Sequence, residues 1–393
     1  MQNVVVVGGG LAGFRFVQSL RDAGYDGAVT VVSEEEHLPY DRPPLSKQLL
    51  AGTFTEEQCA LPGEAAEVEW KLGRRAERLD RDLRVVVLDD GSEVAYDGLL
   101  IATGRRARRW DGALPSVGVH TLRDLADTAA FRADIGADAR VVIIGAGFIG
   151  CEVAATLRKE GVDVTIVDVA AHPMPVMGPE IGARAARIHE AEGVRFRLGK
   201  GVAAIEGDDR VTGVRLEDGE LLEASVVLVA VGSLPNSEWF TDAGLAMDRG
   251  VVICDETCAV LDANGAVVPE VFAAGDIAAW PHRHAEGAAC IEHWSNARDM
   301  ADLAARNLLL AVEERTALAS VPTFWSDQYN VKIKSAGFLR AVDTWTIVEE
   351  DADKPSLLAE GHRNGELVGA VAFNMNRSII GYQRSLANVK VGT

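Results

Sequence analysis

Val4-Val5-Val6-Val7-Gly8-Gly9-Gly10-Leu11-Ala12-Gly13 is a β-branched run closed by glycines, and Val141-Val142-Ile143-Ile144-Gly145-Ala146-Gly147-Phe148-Ile149-Gly150 repeats the design 137 residues later. Each run reads as a buried parallel strand, and each Gly-x-Gly-x-x-Gly as the sharp turn into a helix whose N-terminus meets a pyrophosphate. One such turn alone is weak evidence. Here the context is complete twice: residues 29–32 and 164–167 form second β-branched strands, and Glu34 and Asp168 follow them with carboxylates suited to ribose hydroxyls. Gly8, Gly10, Leu11, Ala12 and Gly13 thus make one candidate nucleotide turn, and Gly145, Gly147, Phe148, Ile149 and Gly150 the other. Two dinucleotides on one chain imply a flavin and a nicotinamide held so that hydride passes between them.

Outward from the first turn, the return strands 84–88 and 98–102 end in Ala102-Thr103-Gly104. An insertion then repeats the plan with the second turn, the Asp168 strand, a β meander over 194–216 and a closing strand 226–231 that ends in Gly232. Strand character resumes at 250–254 and 271–274, Gly275-Asp276 ends the last strand, and 295–311 has helical spacing with Ser295 as its expected N-cap. From about residue 321 the pattern changes to short alternating strands at 331–333, 344–348 and 367–374. The expected fold is α/β, with two nested Rossmann-like dinucleotide-binding domains in a glutathione reductase-like arrangement and a small C-terminal α+β domain. A flavin domain occupies 1–106 and 237–318, a nicotinamide domain 107–236, and the third domain 319–393.

At 393 residues, with 48 % apolar and 25 % charged side chains, the composition is that of a globular enzyme of several domains. No apolar run approaches the roughly 20 residues of a membrane span, and the N-terminus has no cationic leader, so a cytoplasmic protein without membrane contact is expected. A net charge of −20 argues against nucleic acid as a partner. Within that acidic chain, Arg74, Arg75, Arg78, Arg81 and Arg84, then Arg105, Arg106, Arg108 and Arg109, form a cationic stretch that could face an acidic partner. Five cysteines, an odd number with no Cys-x-x-Cys, read as reduced thiols and exclude a metal site by spacing. The sequence carries no signal for oligomeric state.

Leu38-Pro39-Tyr40-Asp41-Arg42-Pro43-Pro44-Leu45-Ser46-Lys47 is not generic Rossmann sequence. Its prolines stiffen a loop beside the first nucleotide, and Lys47 can point an ammonium at the flavin N5 region, where negative charge develops on reduction. Gly275-Asp276 offers a carboxylate at the end of a parallel strand, suited to ribityl hydroxyls, and Ile291-Glu292-His293-Trp294 precedes a helix whose N-terminus suits the N1/O2 edge of a flavin. Asp168 is followed by Val169-Ala170-Ala171, with no arginine to hold a 2′-phosphate, so NADH is expected rather than NADPH. Glu152 is either a carboxylate exploiting a helix dipole or one placed at the nicotinamide. The loop ending Pro44-Leu45-Ser46-Lys47 has no cysteine, and no cysteine pair is spaced to stack on a flavin. Electrons must therefore leave the flavin directly, entering as hydride and departing singly, as an iron–sulfur acceptor requires.

Together these motifs resemble the FAD-containing, NADH-dependent ferredoxin reductases that serve Rieske dioxygenases and haem-thiolate monooxygenases. The resemblance rests on both glycine turns, the 39–47 loop, Ala102-Thr103-Gly104, Thr121-Leu122-Arg123, Gly232 with Pro235-Asn236, Gly275-Asp276, residues 292–297 and Phe324-Trp325-Ser326-Asp327-Gln328. It implies FAD contacts from Ala12, Glu34, Arg42, Lys47, the backbone at Ala76, Arg123, Asp276 and Trp294, with Thr103, Gly104, Gly275, Glu292 and His293 nearby and Gly232 at the NADH side. It also implies that Lys47 pairs with Glu152 as the catalytic couple, that Trp325 covers the flavin or borders the docking site, and that the partner is a [2Fe-2S] ferredoxin. Ser33-Glu34-Glu35-Glu36 departs from the usual Gly-Asp-Glu form; Glu34 is assigned to the adenosine ribose. Related readings with other acceptors are a rubredoxin reductase or a monodehydroascorbate reductase-type enzyme, and an NADH-sensing flavoprotein resembling apoptosis-inducing factor.

Overall fold

The computed structural model describes residues 1–63, 67–351 and 354–388. Its α-helices are α1 (Leu11–Asp22), α2 (Leu125–Asp134), α3 (Phe148–Lys159), α4 (Gly178–Ala191), α5 (Trp294–Leu308) and α6 (Asn376–Asn388).

Two parallel sheets carry the two glycine turns. In the first, Val267–Ala273, Gly98–Ile101, Asn3–Val7, Ala28–Ser33 and Val68–Leu72 run parallel in that order, with Ala259–Leu261 antiparallel at one edge. In the second, Arg195–Leu198, Asp163–Asp168, Arg140–Ile144, Val226–Val229 and Val119–His120 are parallel throughout. Asn3–Val7 and Arg140–Ile144 are unbroken apolar runs because both faces of each sheet are covered; Val4, Val6 and Ile143 have no exposed surface. Each of these strands lies between its acidic strand and its return strand, so a crevice opens beyond its carboxyl end.

The chain crosses between the sheets along Arg105–Ala107 and returns along Ser233–Pro235, and the two crossings pair antiparallel. Thr103 Oγ1 donates to the Asn236 carbonyl at 2.7 Å, and Asn236 Nδ2 donates back to the Thr103 carbonyl at 3.0 Å. This doubled hinge fixes the direction in which one crevice faces the other.

The third unit is an antiparallel sheet in the order Thr323–Gln328, Val331–Gly337, Glu366–Phe373, Ser356–Arg363, Thr344–Asp351. One face packs Ala336, Leu358, Ala370 and Ala372 beneath α6. Its other face places Ile333, Leu357, Val371 and Phe373 in the same core as Ile143, Val153 and Ile166 of the second sheet. Each of those fully buried side chains contributes about 1.5–3 kcal/mol, so this unit is joined to its neighbour by a continuous hydrophobic core.

Two local expectations are corrected. Arg195–Leu198 is not the first strand of a meander but a parallel member of the second sheet; the meander starts at Val202–Glu206 and continues through Gly213–Leu216 and Leu221–Glu223. A short alternating run reads alike in both settings, and the crossover through α4 selects the parallel partner. Ser295 is not an N-cap: α5 begins at Trp294 after His293, and Ser295 Oγ donates instead to the Thr323 carbonyl at 2.7 Å. The first N–H groups of α5 therefore have no side-chain cap.

Candidate active site

In both turns the outer glycines serve the backbone and the middle one faces open space. Gly8 has φ +119°, and a Cβ there would lie 2.1 Å from the Ala102 carbonyl oxygen; on Gly13 it would lie 2.0 Å from the Gly8 oxygen. Gly145, at φ +114°, and Gly150 meet the Ala230 and Gly145 oxygens at 2.3 and 2.1 Å in the same way. Around Gly10 and Gly147, by contrast, no atom comes within 4 Å of a Cβ position. Those two residues are the N-caps of α1 and α3, and neither helix has a side-chain cap. Two uncapped helix N-termini behind open backbone are the chemistry of two pyrophosphate sites. Leu11 and Phe148 open these helices, with Ala12 buried and Ile149 45 % exposed in the next positions.

The two acidic strand ends differ in their engagements. Glu35 accepts from the Tyr40 hydroxyl and from Arg42, each at 2.5 Å, while Glu34 beside it is exposed. Asp168 Oδ2 accepts from the Ala146 N–H at 2.5 Å and Oδ1 from the Ala170 N–H at 2.7 Å. The Asp168 carboxylate thus braces the glycine turn, and each of its oxygens retains a lone pair.

The proline loop folds as a 3₁₀ turn, Pro43–Ser46, which delivers Lys47 to α3. Lys47 Nζ lies 2.7 Å from Glu152 Oε2, and the side chains are only 11 % and 5 % exposed. Ser46 Oγ donates to the same oxygen at 2.5 Å, Ser326 Oγ to Oε1 at 2.7 Å, and Thr156 Oγ1 anchors the turn through the Ser46 carbonyl at 2.8 Å. Glu152 sits in the second turn of α3 and points across to the loop, so the helix dipole does not account for its position. Removing two charges from water costs several kcal/mol per ion, and the three donors around Glu152 offset that cost.

Arg42 also donates to the Arg123 carbonyl, and Arg123 lies 3.5 Å from Asp276. Burial raises the Asp276 carboxyl above its ordinary value, opposed by the Arg123 charge. Gly275 has φ +81°, and its Cβ position would be 3.2 Å from Ala12 Cβ, which ties this strand end to α1. Trp294 Nε1 donates to Asp41 at 2.8 Å, and the Trp294 and Trp325 rings meet edge-on at 5.9 Å, with Trp325 37 % exposed. His293 packs on Phe324 at 5.2 Å, and Phe324 on Phe148 at 4.5 Å; burial lowers the His293 imidazole to about 4, so it is neutral. Ala76 is buried at the start of the strand Ala76–Asp80, while Gly104 at φ +61° and Gly232 at φ +97° mark the two crossings.

Glu292 joins all three units: it accepts from Ser233 at 3.0 Å and pairs with Arg105 and Arg340, both at 3.3 Å. Two buried polar atoms in this region lack a partner, Nε of Arg123 and Nδ1 of His293. With the open Gly10 cradle, they are what an FAD bound along the first crevice would satisfy, so the residues fit the expected group.

The arginine stretch is not a free cationic face. Arg74 pairs with Asp90, Arg75 with Glu77, Arg78 with Asp80 and Arg84 with Glu270, and Arg81 donates to the Ala243 and Gly244 carbonyls. Glu77 and Asp80 lie two residues along the same segment, Asp90 in the turn after Val85–Leu88 and Glu270 on Val267–Ala273, so four of the five arginines in 74–84 are ion-paired, while Arg108 and Arg109 form no ion pair among the described residues. Sequence reading also missed Ser46 and Ser326 as ligands of Glu152, and Asp41 as the anchor of Trp294. The trace of Ser326 in the sequence is its place in the Phe324-Trp325-Ser326-Asp327-Gln328 motif, which does not say what the hydroxyl meets.

Residues 2–301 match the pyridine nucleotide-disulphide oxidoreductase family and residues 323–391 the reductase C-terminal family. The ferredoxin–NAD(+) reductase component of the biphenyl dioxygenase system of Paraburkholderia xenovorans (strain LB400) is 39 % identical over 345 residues, covering 86 % of this chain and 81 % of that protein. Putidaredoxin reductase of Pseudomonas putida is 36 % identical over 353 residues, covering 87 % and 81 %. The crystal structure of the covalent putidaredoxin reductase–putidaredoxin complex superposes with a TM-score of 0.89 at 30 % identity, over 98 % of this chain and 93 % of that one.

Proposed function

The chain belongs to the pyridine nucleotide-disulphide oxidoreductase family and carries its reductase C-terminal domain, and from that premise we propose how its residues divide the work of a ferredoxin reductase. The protein is an FAD-dependent NADH:ferredoxin oxidoreductase that supplies electrons to an oxygenase system. The observation that carries the reading is the pair of open, uncapped glycine turns on one doubled hinge, with no cysteine in the 43–47 loop between them. Bound FAD supplies the conversion of a two-electron hydride donor into a one-electron reductant.

The first crevice holds FAD, with the pyrophosphate on the N-terminus of α1, Glu34 and the Ala76 backbone at the adenosine, and Asp276, Arg123 and Arg42 along the ribityl chain. Thr103, Gly104, Gly275, His293, the uncapped start of α5 at Trp294, and Trp325 enclose the ring system. Glu292 serves as the clasp between units rather than as a flavin ligand. NADH lies on α3 and against Gly232, and Lys47, held by Glu152, directs positive charge at the reacting edge. The acceptor is a [2Fe-2S] ferredoxin, and five unpaired cysteines fit a cytoplasmic setting. No described helix is long and apolar enough to cross a membrane. The function is tested by NADH-driven reduction of cytochrome c: turnover that requires added ferredoxin supports it, and equal turnover without ferredoxin overturns it.

Asp168→Ala is expected to lower the NADH-to-NADPH ratio of kcat/KM by about 10–100-fold, the scale of a charge-assisted hydrogen bond, because it removes both a ribose acceptor and the charge that repels a 2′-phosphate. Steady-state kinetics with the two coenzymes decide it. An unmodified protein that already prefers NADPH would sink the assignment.

Docking is assigned to the edge hairpin of the third unit. Lys334 stands opposite Trp325 and Lys332 opposite Asp327, and neither lysine forms an ion pair among the described residues. Lys334→Glu is expected to raise the KM for ferredoxin about tenfold at low salt, with kcat held and the difference shrinking as salt screens it. A salt-independent or unchanged KM moves the dock elsewhere.

A further inference from the structure

Glu152 ends a chain of hydrogen bonds that runs away from Lys47 into the third unit and back to α4. Ser326 Oγ donates to Glu152 Oε1 at 2.7 Å, and Gln328 Nε2 donates to Ser326 Oγ at 3.1 Å. His189 Nε2 lies 2.8 Å from Gln328 Oε1, and the Tyr329 hydroxyl lies 3.1 Å from His189 Nδ1. Ser326 and His189 have no exposed surface and Gln328 has 2 %. Burial also lowers the His189 imidazole to about 4, so the ring is neutral and has one N–H to place.

These groups have only one consistent order while Glu152 is a carboxylate. A carboxylate accepts and cannot donate, so the Ser326 hydroxyl proton points at it. The serine oxygen must then accept, which turns the Gln328 NH₂ toward Ser326 and its carbonyl toward His189. That carbonyl requires Nε2–H, which leaves Nδ1 bare to accept from Tyr329. A proton on Oε1 of Glu152 would lift that requirement and admit the opposite order, which ends with Nδ1–H donating to Tyr329. A carboxylate at Glu152 therefore requires the Nε2–H tautomer of a histidine three links away.

We propose that Ser326, Gln328, His189 and Tyr329 are positioning residues that hold Glu152 as an anion and, through it, fix the Lys47 ammonium. The inference rests on the assignment of Lys47 to the reacting edge of the flavin. The chain is not a proton path, because an amide such as Gln328 passes no proton without becoming an imidic acid. It acts by aligning dipoles in a dry interior, where successive hydrogen bonds polarise one another. Around Glu152 the facing groups are Lys47 and Ser46 from the loop, Ser326 from the third unit and Cys151 on α3 itself. Among the described residues Lys47 is thus the one cation against the carboxylate, and the remaining polarity comes from neutral donors.

Nitrogen NMR of the histidine-labelled holoenzyme at neutral pH, with His189 assigned by comparison with His189→Gln, reads the tautomer directly. Nε2–H is expected, and Nδ1–H at His189 overturns the proposal whatever the flavin does. A second measurement mixes NADH with holoenzyme carrying Gln328→Leu or Ser326→Ala and follows the loss of flavin colour. Each is expected to slow reduction about tenfold, the scale of one lost hydrogen bond to a charged group, with the Kd for NADH changed less than about twofold and Ser326→Thr restoring the rate. Native rates in both variants overturn the proposal. Native rates in Lys47→Met together with the Nε2–H tautomer leave the chain standing and remove the Lys47 assignment instead.

Discussion

Gly10→Val is expected to give a folded protein that has lost its flavin. The backbone at Gly10 is extended, with φ −82° and ψ −165°, which valine adopts freely, and no protein atom lies within 4 Å of the new Cβ. The side chain therefore enters the space that the pyrophosphate needs and nothing else. Losing two charge-assisted hydrogen bonds at the helix N-terminus costs about 4 kcal/mol, or about a thousandfold in FAD affinity. The check is the ratio of flavin to protein absorbance after purification, beside circular dichroism of the same material. Gly8→Val is the contrasting control: at φ +119°, and 2.1 Å from the Ala102 oxygen, it should damage the fold itself. Yellow, fully loaded Gly10→Val protein would show that the first crevice is not where the pyrophosphate lies.

Lys47→Met should both destabilise the protein and stop it working, and the two effects can be separated. The substitution strips the only cation among the described residues from a carboxylate that is 5 % exposed, and breaking a buried pair in this way costs about 3–5 kcal/mol. Thermal unfolding is expected several degrees lower. Adding Glu152→Gln removes the stranded charge and should return most of that stability, since a neutral amide of the same shape still meets the Ser46 and Ser326 hydroxyls. Reduction by NADH should stay at least about a hundredfold slow in both variants, because loss of a preorganised charge near the reacting atoms costs about 3 kcal/mol or more. Recovery of the rate together with the stability would mean that the pair is structural only.

The arginine stretch shows how far a one-dimensional reading reaches. Arg74, Arg75, Arg78 and Arg84 are close in sequence and read as one cationic surface, yet Asp90 from a turn and Glu270 from a strand of the first sheet pair with its two ends. Lys332 and Lys334 attracted no notice in the sequence, and neither forms an ion pair among the described residues; they stand across from Asp327 and Trp325. Net charge is additive along the chain, but the field at a surface depends on which partner each charge finds.

The nested nucleotide folds were legible from residues alone because their chemistry is local. A glycine that needs positive φ, a glycine that must leave room for a phosphate and an uncapped helix start all fall within a ten-residue window, and the structure gives each its separate reason. The pair of Lys47 and Glu152 could be reached only through family resemblance, since 105 residues separate them. Ser326 and Gln328 entered only as part of the 324–328 motif in that resemblance, with no role attached, and His189 gave no signal at all. In Thr323–Gln328 the buried positions are the polar ones and the tryptophan faces out, so alternation points to the wrong face. A pattern in sequence records what each residue prefers when water is its neighbour. Burial of a serine, a glutamine and a histidine becomes favourable only once three separate units have closed around one carboxylate and each donor has found its acceptor.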